Sequence, residues 1–216
     1  MIAPWNFQCK NLHIQFDAKL CLDRLAPKIS EALNLLPSEA QISQKMLLTI
    51  SKMRSTCYSE NDFITSHEAI LKVLIGLHSE QYYFPVFAFV DAPYSIIRGA
   101  FLGYKKHIGK IQFGSAFSKF ELDGVENTIQ FKIVPSVVEH ISLFPHLTYR
   151  NYRTDDFQAK GLSVLDITNH ITSPISRCTV LEANFPFLER CGIIPTSSYK
   201  VGMASDSFTV NGAIYV

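Results

Sequence analysis

Leu12, Ile14 and Phe16 alternate with polar residues, the period of a strand with one face on a core. Over residues 23–36 the period lengthens. Leu25, Ile29, Leu33 and Leu36 recur at three- and four-residue spacing, which predicts a helix ended by Pro37. Residues 45–53 read as a strand and 55–66 as a polar loop. Two apolar runs, 68–78 and 81–90, flank Ser79-Glu80 and predict a hairpin. A short helix is expected over 93–102, with Pro93 in its first turn and Gly103 just past its end. Strands are expected at 108–113, 117–122, 128–134, 143–149, 162–167, 177–183 and 199–216, with a turn over 188–194. So many short strands, punctuated by Gly, Pro, Asn and Asp, predict a mainly β protein, an antiparallel sheet system or barrel with a few helices. No repeat, low-complexity tract or linker interrupts the pattern, so residues 1–216 read as a single domain.

Composition narrows the class. Of the 216 residues, 47% are hydrophobic, enough for a sizeable core. The formal net charge of +1 points neither to nucleic acid nor to an anionic membrane surface. No apolar run reaches the roughly 18 residues of a membrane span; Lys72 and Pro85 break the two best candidates. The first residues carry no basic-then-apolar leader pattern. Five cysteines with no close pair argue against a disulfide framework and against zinc spacing. The expectation is a reduced, cytoplasmic protein. The seven histidines form no H-x-H or H-x-x-x-H pair, so no metal site is expected. Tyr149-Arg150-Asn151-Tyr152-Arg153 interleaves aromatics with arginines, but with net charge near zero it reads as a loop or an oligomer contact.

The chemistry-bearing stretch is 88–113. After the short helix come Lys105, Lys106 and His107, and the chain then re-enters a strand. Two adjacent lysines can be a solvated corner, or an amine nucleophile with a cationic neighbour that lowers its pKa. As a nucleophile, the lysine must lose an ordinary pKa of about 10.4. A fall of about 3 is needed for neutrality near pH 7, roughly 4 kcal/mol against the charged form. Burial supplies shifts of that size. Phe101, Leu102, Tyr104 and Ile108 are the apolar groups at hand. In an extended segment Lys105 and Lys106 point to opposite faces, so only one enters a pocket.

This stretch resembles the active-site segment of the acetoacetate decarboxylase family, D-N-E-P-A-I-x-x-G-R-E followed by aromatic-Pro-Lys-Lys. Laid without gaps, the last four positions fall on Tyr104-Lys105-Lys106-His107. The resemblance makes Lys106 the Schiff-base lysine, puts His107 at the family's second lysine and Lys105 at its proline. Glu68, 38 residues before Lys106, matches a pocket glutamate at nearly that distance. Three departures follow. The family's Gly-Arg-Glu falls on Arg98-Gly99-Ala100, so the glutamate is missing and Arg98 stands one place early. The family's early arginine, which helps bind the substrate carboxylate, falls on Cys9; Lys10 beside it is a point charge, without the bidentate clamp of arginine.

The resemblance implies an antiparallel β-barrel with a few peripheral helices and a homo-oligomer. It also implies a lyase that acts on a small keto acid through a lysine Schiff base, by decarboxylation or by aldol or dehydration chemistry. No cofactor is expected, because the iminium is the electron sink. Lys106 and Glu68 are the expected catalytic pair. Lys105, His107, Arg98, Lys10, Phe101 and Tyr104 are the expected pKa-tuning or substrate-binding residues. The alternative is a catalytically silent member that binds a small ligand or serves in assembly.

Overall fold

The structure is a computed structural model. It describes residues 4–56, 62–122, 124–154 and 157–215, the side chains at 136, 150–154, 157–160 and 215 excepted. Among the described residues there are thirteen strands, three α-helices and one 3-10 turn. The long strands are β1 (Trp5–Leu20), β2 (Gln41–Thr56), β3 (Phe63–Leu77) and β4 (Glu80–Val90). The helix α1 (Pro27–Leu33) lies between β1 and β2, and α2 (Pro93–Leu102) follows β4. Then come β5 (Lys106–Ile108), β6 (Lys110–Phe113), β7 (Phe117–Leu122) and β8 (Val125–Val138). The chain ends with β9 (Leu147–Thr154), β10 (Phe157–Thr172), β11 (Ser176–Asn184), α3 (Pro186–Arg190), β12 (Ile193–Pro195) and β13 (Lys200–Tyr215). No helix among the described residues is long and apolar enough to cross a membrane.

All strands join one sheet in the order β5-β4-β3-β2-β1-β13-β11-β8-β7-β6, with β10 on β13, β9 on β10 and β12 on β1. The pairings are antiparallel except that of β4 with β5. The expected mainly β class holds, but the barrel does not close. The two ends of the order, β5 and β6, follow one another in the chain across Gly109. The sheet therefore curls back on itself and is joined there by the backbone rather than by a ladder, because Gly109 turns the chain from its pairing with β4 to its pairing with β7.

The hairpin of β3 and β4 turns at His78-Ser79, one residue earlier than expected, with φ of 49° and 68°. Both central residues are left-handed, which is the geometry that matches strand twist. The predicted helix over 23–36 is shorter. Leu22–Arg24 form a single 3-10 turn, Leu25 and Ala26 are extended, and Pro27 starts α1. The proline at the first turn overrides the helical period before it. The predicted loop over 55–66 is narrower, since β2 runs to Thr56 and β3 starts at Phe63; the segment between lies outside the described residues. The run of aromatics and arginines is strand, paired with β10. The expected strand over 108–113 is split at Gly109.

The central strands bury both faces. On one face Leu12, Ile14 and Phe16 of β1, Leu48 and Ile50 of β2, and Leu71 and Val73 of β3 join the main apolar core. On the other face stand Asn11 and His13, Thr49 and Ser51, Glu68 and Lys72, all buried. These polar positions face a cavity, not solvent.

Candidate functional site

The helix α2 ends at Gly103, whose φ of 82° only glycine adopts readily. Tyr104 N–H then donates to the Gly99 carbonyl at 2.8 Å. This turn sends the chain back beside β4, where β5 pairs Ala88 with Lys106. The side chain of Lys106 passes along α2 at Gly99. A Cβ on Gly99 would lie 2.7–2.9 Å from Cδ, Cε and Cγ of Lys106, so the glycine makes room for the lysine.

At its end Lys106 Nζ pairs with Glu68 Oε2 and donates to Ser95 Oγ at 3.3 Å. It lies 5.5 Å from the centre of the Tyr104 ring. The lysine side chain is only 8% exposed. An apolar cluster of Trp5, Phe7, Cys9, Met53, Ile70 and Leu102 packs around this region. Burial is the main force on the amine and lowers its pKa; Glu68 opposes it, and the Arg98 guanidinium adds to it.

The cationic neighbour is therefore Arg98. It is 1% exposed, donates to Ser55 Oγ at 2.7 Å, and lies 4.5 Å from the centre of the Phe7 ring. Lys105 and His107 do not take that part. Alternation along the strand points them away from Lys106. Lys105 is 70% exposed and pairs with Glu31 at 2.9 Å. His107 packs on Phe87 with ring centres 5.5 Å apart. Lys10 is exposed, because its neighbour Cys9 takes the inward position on β1. Phe101 is 42% exposed and stays out of the apolar cluster, which Leu102 and Tyr104 join. Burial pushes the Cys9 thiol up to about 12, so it is a neutral wall rather than a thiolate.

Beside this pair lies a cavity of about 540 Å³. That is a typical size for a small-molecule site. Glu68, Cys9, Asn11, Ser51 and Asp206 line it, and residues 143–146 wall it on one side. Lys106 lies behind Glu68 and is not itself among the lining side chains.

A second lysine does line the cavity. Lys72 Nζ is hydrogen-bonded to Thr49 Oγ1 at 3.2 Å and to His146 Nε2 at 3.1 Å. His146 Nδ1 in turn lies 2.7 Å from Tyr104 Oη. Burial brings Lys72 down to about 8, against the pull of Glu68 and Asp206. Burial and then the Lys72 charge hold His13 down at about 3. His146 is held well below the usual histidine range by burial, then by Lys72 and His13. In the sequence Lys72 reads only as a break in an apolar run. The signal that marks it is a lysine flanked by Leu71 and Val73, four residues after Glu68 and so on the same strand face.

No family model matches this chain, and no curated protein matches it in sequence. Solved structures do resemble it. An acetoacetate decarboxylase-like enzyme from Sphingomonas wittichii RW1 superposes with a TM-score of 0.73 at 16% identity, covering 100% of this chain and 94% of that one. Acetoacetate decarboxylase from Legionella pneumophila gives 0.70 at 13% identity, covering 100% and 88%. The enduracididine biosynthesis enzyme MppR with bound HEPES gives 0.71 at 13% identity, covering 99% and 88%. Another structure of MppR holds the condensation product of pyruvate and imidazole 4-carboxaldehyde. Over nearly its whole length, this chain has the acetoacetate decarboxylase-like fold.

Proposed function

We propose that the protein is a lyase that forms a Schiff base between Lys106 and the ketone of a small keto acid. The observation that carries this is the buried lysine on Glu68, with its pKa lowered by burial and by Arg98, beside a ligand-sized cavity. Glu68 takes the proton of the Lys106 ammonium, and the neutral amine adds to the carbonyl carbon. Glu68 then returns the proton to the departing hydroxyl, which leaves as water. The iminium accepts the electron pair released when carbon dioxide, or a neighbouring proton, leaves. The fold shared with acetoacetate decarboxylases and with MppR supports the same class of chemistry.

A second reading is a ligand-binding protein without catalysis. It is favoured by one observation: Lys106 lies behind Glu68 rather than on the cavity wall. Borohydride reduction in the presence of 3-oxobutanoate, followed by peptide mapping, separates the two. Trapping is expected on Lys106, abolished in Lys106→Ala and retained in Lys105→Ala. Adduct spread over many lysines, or none from folded protein, selects the binding reading.

A further inference from the structure

Lys72 takes no part in Schiff-base chemistry at Lys106. Yet it stands on the same face of β3 as Glu68, with Ile70 between them. Four residues of strand separate the Cα atoms of Glu68 and Lys72 by about 13 Å, so the two side chains line the cavity at different points. Lys72 is 4% exposed. Its two partners, Thr49 and His146, are uncharged. A neutral His146 that accepts at Nε2 carries its proton on Nδ1 and donates it to Tyr104 Oη. Two of the three ammonium protons go to these acceptors, and the third has no acceptor among the described residues. The charged and titratable groups that face it are His13 on β1, Glu68 on β3, Asp206 on β13 and His146. Glu68 is engaged by Lys106; Asp206 Oδ2 accepts from the Asn11 amide, and its Oδ1 lies 3.8 Å from His170 Nε2. Neither carboxylate forms an ion pair with Lys72. A buried ammonium with no counter-ion is costly unless a ligand supplies one.

The geometry points to Lys72 as the receptor for a substrate carboxylate that survives the reaction. This rests on the Schiff-base reading for the ketone end only. A cation on the carboxylate that leaves as neutral carbon dioxide would stabilise the ground state over the transition state and slow the loss. The group on Lys72 is therefore one that stays. The substrate class that follows is a keto acid with a carboxylate several bonds from the carbonyl, longer than a β-keto acid bound by its only carboxyl.

Pentanoate tests the anion site without a ketone. In calorimetric titrations at pH 7, pentanoate is expected to bind the wild-type protein, and Lys72→Met to weaken it at least tenfold. Pentan-1-ol, the uncharged control, should bind both alike. In the wild type, affinity for pentanoate should fall as pH rises through about 8, approaching tenfold per pH unit as Lys72 loses its proton. This second arm reads the site even if the variant fails to fold. Pentanoate affinity that is flat from pH 7 to 9.5, or no stronger than that of pentan-1-ol, overturns the assignment. Borohydride trapping with 5-oxohexanoate and hexan-2-one separates the two readings. Pentanoate binding without any adduct on Lys106 leaves the anion site standing and removes the Schiff base. An adduct mapped to Lys72 overturns the assignment, because Lys72 would then be the nucleophile.

Discussion

Lys105 and Lys106 are adjacent, and each pairs with a glutamate. Lys105 meets Glu31 in water, while Lys106 meets Glu68 inside an apolar cluster. The two pairs look alike on paper and differ in solvent. An exposed pair is screened and contributes little to stability. A buried pair is costly to assemble and far more costly to break, because one partner is left charged and alone. Reactivity follows the same division. Lys105 stands in water, and burial pulls the Lys106 pKa down.

The largest effect expected from this contrast comes from Glu68→Ala. It strands the Lys106 ammonium and should cost about 3–5 kcal/mol in a urea unfolding series at pH 7. Glu31→Ala should leave the urea midpoint unmoved. Similar shifts in the two variants would break the comparison.

Lys72 sharpens it, since this lysine has burial without an ion pair. Its pKa is about 8 folded against 10.5 for a free lysine. Between these values the unfolded chain holds more protons, so stability should rise with pH from 8 to 9. Above 9 the raised Cys9 acts in the opposite sense. Lys72→Met should raise stability at pH 7 by on the order of 3 kcal/mol, the size of that shift. A stabilising change that weakens anion binding is the mark of a group kept for function. Destabilisation by Lys72→Met would mean that its hydrogen bonds outweigh its desolvation.

His13 carries the same logic to acid. It titrates near 3 folded against 6.5 unfolded. The unfolded chain binds the extra proton between these values, so stability should fall as pH drops below about 6.5. At pH 5 His13 alone should cost about 2 kcal/mol. Unfolding of His13→Gln over pH 5–7 should show a shallower slope, and an unchanged slope would remove His13 from the account.

Gly99→Ala should cost only about 1–2 kcal/mol, since the added methyl meets the flexible Lys106 stem rather than backbone. It should nonetheless reduce borohydride trapping at Lys106, by pushing the amine off Glu68. The smallest effect belongs to Lys105→Ala, which should change neither the unfolding midpoint nor the trapping.

Much of this site was legible in the chain. The Pro93 start and Gly103 end of α2 are local signals, and the helix spans 93–102 as they predict. The opposite facing of Lys105 and Lys106 follows from strand alternation. The resemblance chose Lys106 and Glu68, and the structure brings them together from 38 residues apart. Arg98 and Tyr104 stand beside Lys106, and the other expected neighbours do not. Lys105, His107, Phe101 and Lys10 are close to the site residues in sequence, and each points away. Arg98 was chosen as a displaced arginine, and burial makes it the cation that bears on Lys106.

Local chemistry is enough to set the elements: short strands from alternation, helix ends from proline and glycine, and a mainly β class from their number. That the polar positions of β1, β2 and β3 face a cavity follows from long-range packing. Alternation says that two faces differ; it does not say whether the polar face meets water or other strands. The curl of the sheet decides that, by bringing β10, β13 and residues 143–146 over the face that carries Glu68 and Lys72. Those contacts join residues far apart in the chain, and no local pattern encodes them. The charge on Lys72 is plain in the sequence, but its burial, and with it the case for an anionic ligand, exists only once the sheet has curled.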